Sequence, residues 1–242
     1  RSWRYYPFCL LFAVPFMWVN LVSLGGIDVG WWWEIGTFIS LCVWLDIGHY
    51  MLRRQRRQQA QLQEEARIDE LTGLNNFRVF NEDLLACYHQ AQAEHNFFAL
   101  YTFDIDHFKL VNDRYGHLAG NMVLERVAKT LRLIATSLPY ANVRCYRTGG
   151  EEFSFILADI TPSTADAEDI AWRVHDELGK LRFNTDDGSE FQISISLGED
   201  RSYPEDQNYL DIYNRADQYL YKSKNGGRNT ITINGTTLPQ RN

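Results

Sequence analysis

The chain has 242 residues, 45% hydrophobic, 14% aromatic and 23% charged, with a formal net charge of −7, which excludes a disordered, collagen-like or disulfide-stapled protein. The charge is partitioned: residues 1–68 carry seven Arg against five acids (+2), leaving 17 basic against 26 acidic groups (−9) in residues 69–242. An acidic second part repels a phosphate backbone and so speaks against a nucleic-acid partner, while leaving room for a small phosphorylated ligand accompanied by metal ions.

From Tyr5 to Leu24 no side chain is charged at neutral pH. Twenty helical residues reach about 30 Å, enough to cross a hydrocarbon core, and Pro7 and Pro15 are tolerated in such helices. Gly25–Gly30 reads as a turn. Trp31–Leu52 is a second apolar stretch, opening on three tryptophans that suit an interface but holding Glu34, Asp46 and His49. The pair reads as a transmembrane helical hairpin over residues 1–52 (5–24 and 31–52), with a buried hairpin of a soluble domain as the alternative. No small-residue site suggests a cleaved signal peptide. Arg53, Arg54, Arg56 and Arg57 follow at once, and Arg1 and Arg4 flank the other end, so both basic ends belong on the cytoplasmic side of a cell membrane. The first residue is Arg, which suggests missing upstream sequence. Residues 53–68 read as a basic helical linker. Leu52, Gln55, Gln59, Leu62 and Ala66 make a weak heptad seam, so a solvated helix and a parallel two-stranded coil are both open. Cysteines 9, 42, 87 and 145 form no C-x-x-C pair, as expected in a reducing cytosol.

Beyond Asp69 helical and strand patterns interleave. Helices are predicted over Phe77–His95, Leu118–Leu138, 164–182 and 208–224; strands over Phe97–Ile105, Val143–Tyr146, Phe153–Leu157, Phe191–Leu197 and Thr230–Ile233, with a loose tail over 234–242. This is an α/β sandwich around one sheet that contains a hairpin. Asp104-Ile-Asp106 ends the first strand and Gly149-Gly-Glu-Glu152 fills the hairpin turn. If the two strands are neighbours, Asp104 and Glu151 meet at one sheet edge, where two hard oxygen ligands suit Mg2+ held with substrate phosphates. The paired glycines would supply positive φ and let a ligand approach. Taken singly, each element is as compatible with a structural role as with a functional one.

The ordered set Asp69-Glu-Leu-Thr-Gly-Leu-Asn75-Asn76, Asp104-Ile-Asp-His-Phe-Lys109-Leu-Val-Asn112-Asp113, Gly116-His-Leu-Ala-Gly120, Arg147-Thr-Gly-Gly-Glu-Glu-Phe153 and Ala216-Asp217…Leu220-Tyr221…Lys224-Asn-Gly-Gly-Arg228-Asn229 resembles the GGDEF family of diguanylate cyclases in its GGEEF variant, over residues 69–233. The resemblance implies a GGDEF-like cyclase/polymerase-palm sandwich, a central mixed sheet flanked by helices, preceded here by the transmembrane hairpin. It implies two GTP condensed to cyclic di-GMP with release of two pyrophosphates across a homodimer, each domain supplying half an active site. By the same resemblance Asp104, Glu151 and the Ile105 carbonyl would hold Mg2+, two ions per active site with Mn2+ as a substitute. Glu151 or a metal-bound hydroxide would take the proton, and Glu152 would support the same site. Phe108, through its backbone, Lys109, Lys224 and Arg228 would meet the phosphates, and Asn112 the guanine edge. Asp106 reads as structural.

The chain departs from the family pattern twice. Asn121 follows Gly120 where the family carries Asp, at the position that accepts from guanine; this is either a tolerated variant or a route to a mixed GMP-AMP product. Tyr140-Ala-Asn-Val143 replaces an inhibitory R-x-x-D, which Arg144 does not restore, so product inhibition there should be absent. A non-catalytic nucleotide receptor and a mechanical membrane sensor are the competing readings.

Overall fold

The computed structural model describes residues 32–65, 67–139, 142–160, 164–184 and 188–239. Two compact units divide the chain, residues 1–66 and 67–242. The first predicted span, 5–24, lies outside the described residues.

In the first unit, helix α1 (Trp32–Glu65) joins the second apolar stretch and the basic linker without a break. Among the described residues no helix is long and apolar enough to cross a membrane. The expectation that 31–52 spans is therefore corrected. Glu34, Asp46 and His49 interrupt the apolar run, and Arg53 begins the cationic segment only seven residues after Asp46.

In the second unit the order is α2 (Phe77–Glu94), β1 (Phe97–Ile105), α3 (Phe108–Ser137), β2 (Val143–Arg147), β3 (Glu152–Ile160), α4 (Thr164–Gly179), β4 (Arg182–Asn184), β5 (Glu190–Gln192), β6 (Ile195–Arg201), α5 (Tyr209–Asn225), β7 (Ile231–Ile233) and β8 (Thr236–Thr237). The main sheet runs β2-β3-β1-β6-β7-β8; every pair is antiparallel except β6–β7, so the sheet is mixed. β1 is central and buried along nearly its whole length, which is why it reads as an unbroken apolar run. Its alternation still sorts two cores. Ala99, Tyr101, Phe103 and Ile105 join residues of α3 and α4, whereas Phe98 and Leu100 join residues of α2 and α5. Stacked rings tie β1 to β3: Tyr101 on Phe155 at 4.2 Å and Phe103 on Phe153 at 5.5 Å.

Four boundaries differ from the sequence pattern. α3 begins at Phe108 rather than Leu118, with a break at Gly116 (φ 84°, ψ 162°) that shifts the apolar stripe between its two parts. α4 stops at Gly179 and a short strand follows. The strand predicted over 191–197 is two strands: β5 pairs only with β4 in a separate ribbon, and β6 continues to Arg201 in the main sheet. Its charged end hid it, because Asp200 is fully buried on the Arg215 guanidinium, which also holds Asp206 at 2.6 Å and the Arg201 carbonyl at 3.1 Å. The tail, expected to be loose from Asn234, instead turns back: Thr236 and Thr237 pair with β7, and Leu238 N–H bonds the Ile231 carbonyl.

α5 lies directly on β6. A Cβ at Gly198 would stand 2.3 Å from both the Ala216 carbonyl oxygen and the Leu220 nitrogen, so only glycine permits this approach. The Ser223 hydroxyl bonds the Leu197 carbonyl at 2.8 Å and pins the end of the same helix.

Glu199 lies on β6 opposite Tyr101 and Ile233, almost fully buried, and burial with the adjacent Asp200 pushes its carboxyl up to about 8 against the pull of Arg201. The folded protein then resists ionisation that the unfolded chain undergoes from its ordinary 4.5, so stability falls as pH rises between these values. Thermal melts should show the wild-type midpoint dropping between pH 5 and 8 by at least ~5 °C, and Glu199→Gln should flatten that slope.

Candidate active site

β1 and β3 are neighbours, with Asp104 opposite Glu152 and, on its other side, opposite Ser196 of β6. The Ile105 N–H donates to the Glu151 carbonyl at 3.3 Å, which stitches the end of β1 to the hairpin turn. Asp104 is 8% exposed and its Oδ2 receives the Lys224 ammonium at 2.9 Å. Burial raises its carboxyl above the usual range; the Lys224 bond and charge and the Arg228 charge oppose this, and Asp106 adds to it. Glu151 is raised too, by partial burial and by Asp104, with Lys224 opposing. A buried Asp104 whose charge also raises Glu151, with one ammonium set on it, is a site poised for cations.

The turn is held by its backbone. Thr148 and Gly149 N–H groups both donate to the Glu152 carbonyl, at 2.9 and 3.2 Å. Neither Gly149 nor Gly150 has positive φ, so that part of the expectation is corrected. Gly149 is needed for closeness instead: its Cβ would lie 2.7 Å from Glu152 Oε2. Arg147 braces the loop from below. Its Nη1 holds both oxygens of Asp69 at 3.0 and 3.1 Å, and its Nε and Nη2 donate to the Gly150 carbonyl at 3.1 and 2.7 Å. Partial burial would raise Asp69, but the bonds from Thr72 and Arg147 outweigh it and hold the carboxyl below its usual range.

Asp106 is structural. It accepts from the hydroxyls of Ser194 and Ser196, both at 2.7 Å, and from the Asn229 N–H at 2.9 Å, so it ties β1 to β6 and to the loop after α5. That loop carries Arg228 and Asn229 in left-handed backbone (φ 63° and 50°). Phe108, buried, and Lys109, exposed, open α3 after the left-handed His107. Asn112 lies across Gly120: a Cβ there would meet Asn112 Oδ1 at 2.0 Å and Phe108 Cζ at 3.2 Å. Asn121 is exposed in the turn after the Gly116 break. The structure thus joins Asp104, Ile105, Glu151 and Lys224 in one cluster, with Arg228 near enough for its charge to act on Asp104, and Phe108, Asn112 and Gly120 in another. Glu152 is turned toward Gly149 and solvent. Tyr140 and Ala141 lie outside the described residues. A shallow cleft of about 540 Å³, lined by His175, Lys180, Gln192, Ser194 and Asn229 among others, contains none of the expected site residues.

The Asp69–Arg147 brace and the Ser194/Ser196 support of Asp106 were not legible as functional. The motif around Asp69 stood out, but nothing local names its partner. No group of three or more His, Cys, Asp or Glu forms a ready metal cage among the described residues. Two carboxylates with a carbonyl fit Mg2+, which takes its other ligands from water and phosphate.

Residues 66–230 match the family described as diguanylate cyclase, GGDEF domain. The chain belongs to the GGDEF diguanylate cyclase family. Among curated relatives it is 39% identical to the uncharacterised protein YhcK of Bacillus subtilis over 172 residues (69% of this chain, 45% of that protein). It is 35% identical to diguanylate cyclase VdcA of Vibrio cholerae over 182 residues (74% and 50%). The chain spans about half the length of these relatives. Among solved structures, the coiled coil and GGDEF domain of DgcB from Caulobacter crescentus in complex with c-di-GMP superposes with a TM-score of 0.65 at 28% identity, covering 80% of this chain and 99% of that one. The active GGEEF domain of a Vibrio cholerae cyclase gives 0.58 at 30%, covering 65% and 96%.

Proposed function

We propose that the protein is a diguanylate cyclase, joining two GTP into cyclic di-GMP with loss of two pyrophosphates across a homodimer of its catalytic domains. The observation that carries this reading is the meeting of Asp104 and Glu151 at the end of β1, compensated by Lys224. Asp104, Glu151 and the Ile105 carbonyl would hold the Mg2+ ions, which when bound supply charge neutralisation at the phosphates and activation of the attacking hydroxyl. Each bond-forming step joins a ribose 3′-oxygen to the α-phosphorus of the other GTP; its proton leaves toward the Glu151 side, and the P–O bond to pyrophosphate breaks. Lys109, Lys224 and Arg228 neutralise the leaving phosphates, and Asn112, seated by Gly120, reads the base edge. Glu152 supports the turn that presents Glu151. An intact carboxylate pair favours catalysis over a receptor role.

Membrane attachment through residues 5–24, with the Arg53–Arg57 cluster on the cytoplasmic side, belongs to the same proposal. It is supported by the run from Tyr5 to Leu24, in which no side chain is charged at neutral pH. A Staphylococcus aureus relative, 29% identical over 199 residues, is described as an uncharacterised membrane protein. Incubating the full chain in detergent with Mg2+ and GTP, ATP or both, and weighing the products, tests the activity. Absence of any cyclic dinucleotide from verified dimers would remove it.

A second reading concerns the base. Asn121 sits one residue from the Gly120 on which Asn112 rests, and an amide replaces two charged acceptor oxygens by one acceptor and one donor. Competition assays should show Asn121→Asp favouring GTP over ATP by about one to two further decades, the value of one charge-assisted hydrogen bond. Unchanged discrimination would show that position 121 does not set the base preference.

A further inference from the structure

Lys224 has two claims on its single charge. The ammonium bonds Asp104 Oδ2 at 2.9 Å, and its side chain and that of Asp104 are 28% and 12% exposed. This is the one salt bridge Asp104 makes among the described residues. The same ammonium is the group we expect on the substrate phosphates. The helix beneath it cannot give way, because Gly198 abuts the backbone of α5 and Ser223, the neighbouring residue, is bonded to both Leu197 and Thr232. Any exchange between the two partners is therefore a swing of the four-carbon side chain over a fixed helix end.

We propose that Lys224 is a built-in counter-ion that keeps a divalent cation off Asp104 until a nucleoside triphosphate draws the ammonium away. The inference rests on the cyclase reading of this site. A divalent cation and an ammonium compete for the same carboxylate oxygen and repel each other across it, so the metal alone binds weakly. A triphosphate removes both obstacles at once by taking Lys224 as its own partner and offering oxygens to the metal. Metal and nucleotide then bind with positive coupling, and each strengthens the other by the same factor. The device holds the buried carboxylate compensated while the site is empty and prevents a stable metal complex without substrate.

The experiment measures Mn2+ uptake by the full chain in detergent, from the paramagnetic resonance of the free ion, without nucleotide and with an α,β-methylene analogue of GTP that cannot react. Lys224→Met, which keeps the length of the stem and loses the charge, should bind Mn2+ about tenfold more tightly without nucleotide, and the analogue should add less than it does in wild type. Lys224→Gln should behave alike. Lys224→Arg should stay weak, and Lys109→Met, whose charge does not touch Asp104, should match wild type in nucleotide-free Mn2+ uptake. Circular dichroism checks that each variant is folded. Unchanged or weaker nucleotide-free uptake in both neutral Lys224 variants overturns the proposal while leaving the cyclase reading in place. If no protein takes up Mn2+ even with the analogue, and Asp104→Asn makes no difference, the cyclase reading fails and the proposal with it.

Discussion

Glu151→Gln and Asp104→Asn should each lower cyclic dinucleotide synthesis by about a thousandfold or more, with melting temperatures close to wild type. Both substitutions keep shape and remove charge where burial holds both carboxyls up and Asp104 raises Glu151 further. For Asp104→Asn the fold has little to lose, because the amide can still face the Lys224 ammonium through its oxygen. For Glu151→Gln the backbone carbonyl that bonds Ile105 is untouched. The loss should therefore appear in turnover and in divalent-cation uptake, read by product mass and by Mn2+ binding. Asp106→Asn should behave differently. Its oxygens accept from Ser194, Ser196 and Asn229, so an amide there loses one acceptor oxygen and the charge that strengthens all three bonds, and stability should fall together with activity.

The contrast between Asp104 and Asp106 shows what the sequence alone could carry. D-x-D at a strand end puts both carboxylates on one face, and the resemblance chose Asp104 as the ligand. The reason for Asp106 became visible only when β6 and the loop after α5 were brought beside β1. The same holds for β6 itself. Alternation through Leu197 marks a strand, but Glu199 and Asp200 look like its exposed end until Arg215, on another element, is seen to compensate Asp200. The kinked α3 was half legible: its second part has a clean three-and-four apolar spacing, whereas the first buries only Phe108 and Val111 and turns Lys109, Leu110 and Asp113 outward. Local patterns report which side of an element is buried; they do not report which distant residue makes a buried charge tolerable.

Arg147 gives that limit a measurable form. Its guanidinium uses one edge for Asp69 and the other for the Gly150 carbonyl, so one planar group joins the beginning of the catalytic unit to the turn that presents Glu151, across 78 residues of sequence between the paired charges. At 14% and 24% exposure the pair is sheltered, and Asp69 is further held by the Thr72 N–H at 2.8 Å and the Thr72 hydroxyl at 2.6 Å. Arg147→Ala should cost about 2–3 kcal/mol, a fall of roughly 5–10 °C in melting temperature, because it strips two acceptors of charged donors. It should also lower turnover by one to two decades at saturating GTP, since a displacement of about 1 Å at Glu151 is enough for that. Arg147→Lys should recover little, as a single ammonium cannot serve Asp69 and Gly150 together. Asp69→Asn should be milder in turnover, because the bonds from Arg147 to Gly150 survive it. The sign with pH follows from the lowered Asp69 carboxyl: the contribution of the brace is complete above the ordinary value of 3.8 and is lost only as pH falls below it, so it operates unchanged across the neutral range. Melting curves and steady-state rates on the same preparations decide the matter. A lowered melting temperature with unaltered turnover would make Arg147 a support of the fold alone, and a fall in turnover that the Lys variant does not rescue would make it the residue that aims Glu151.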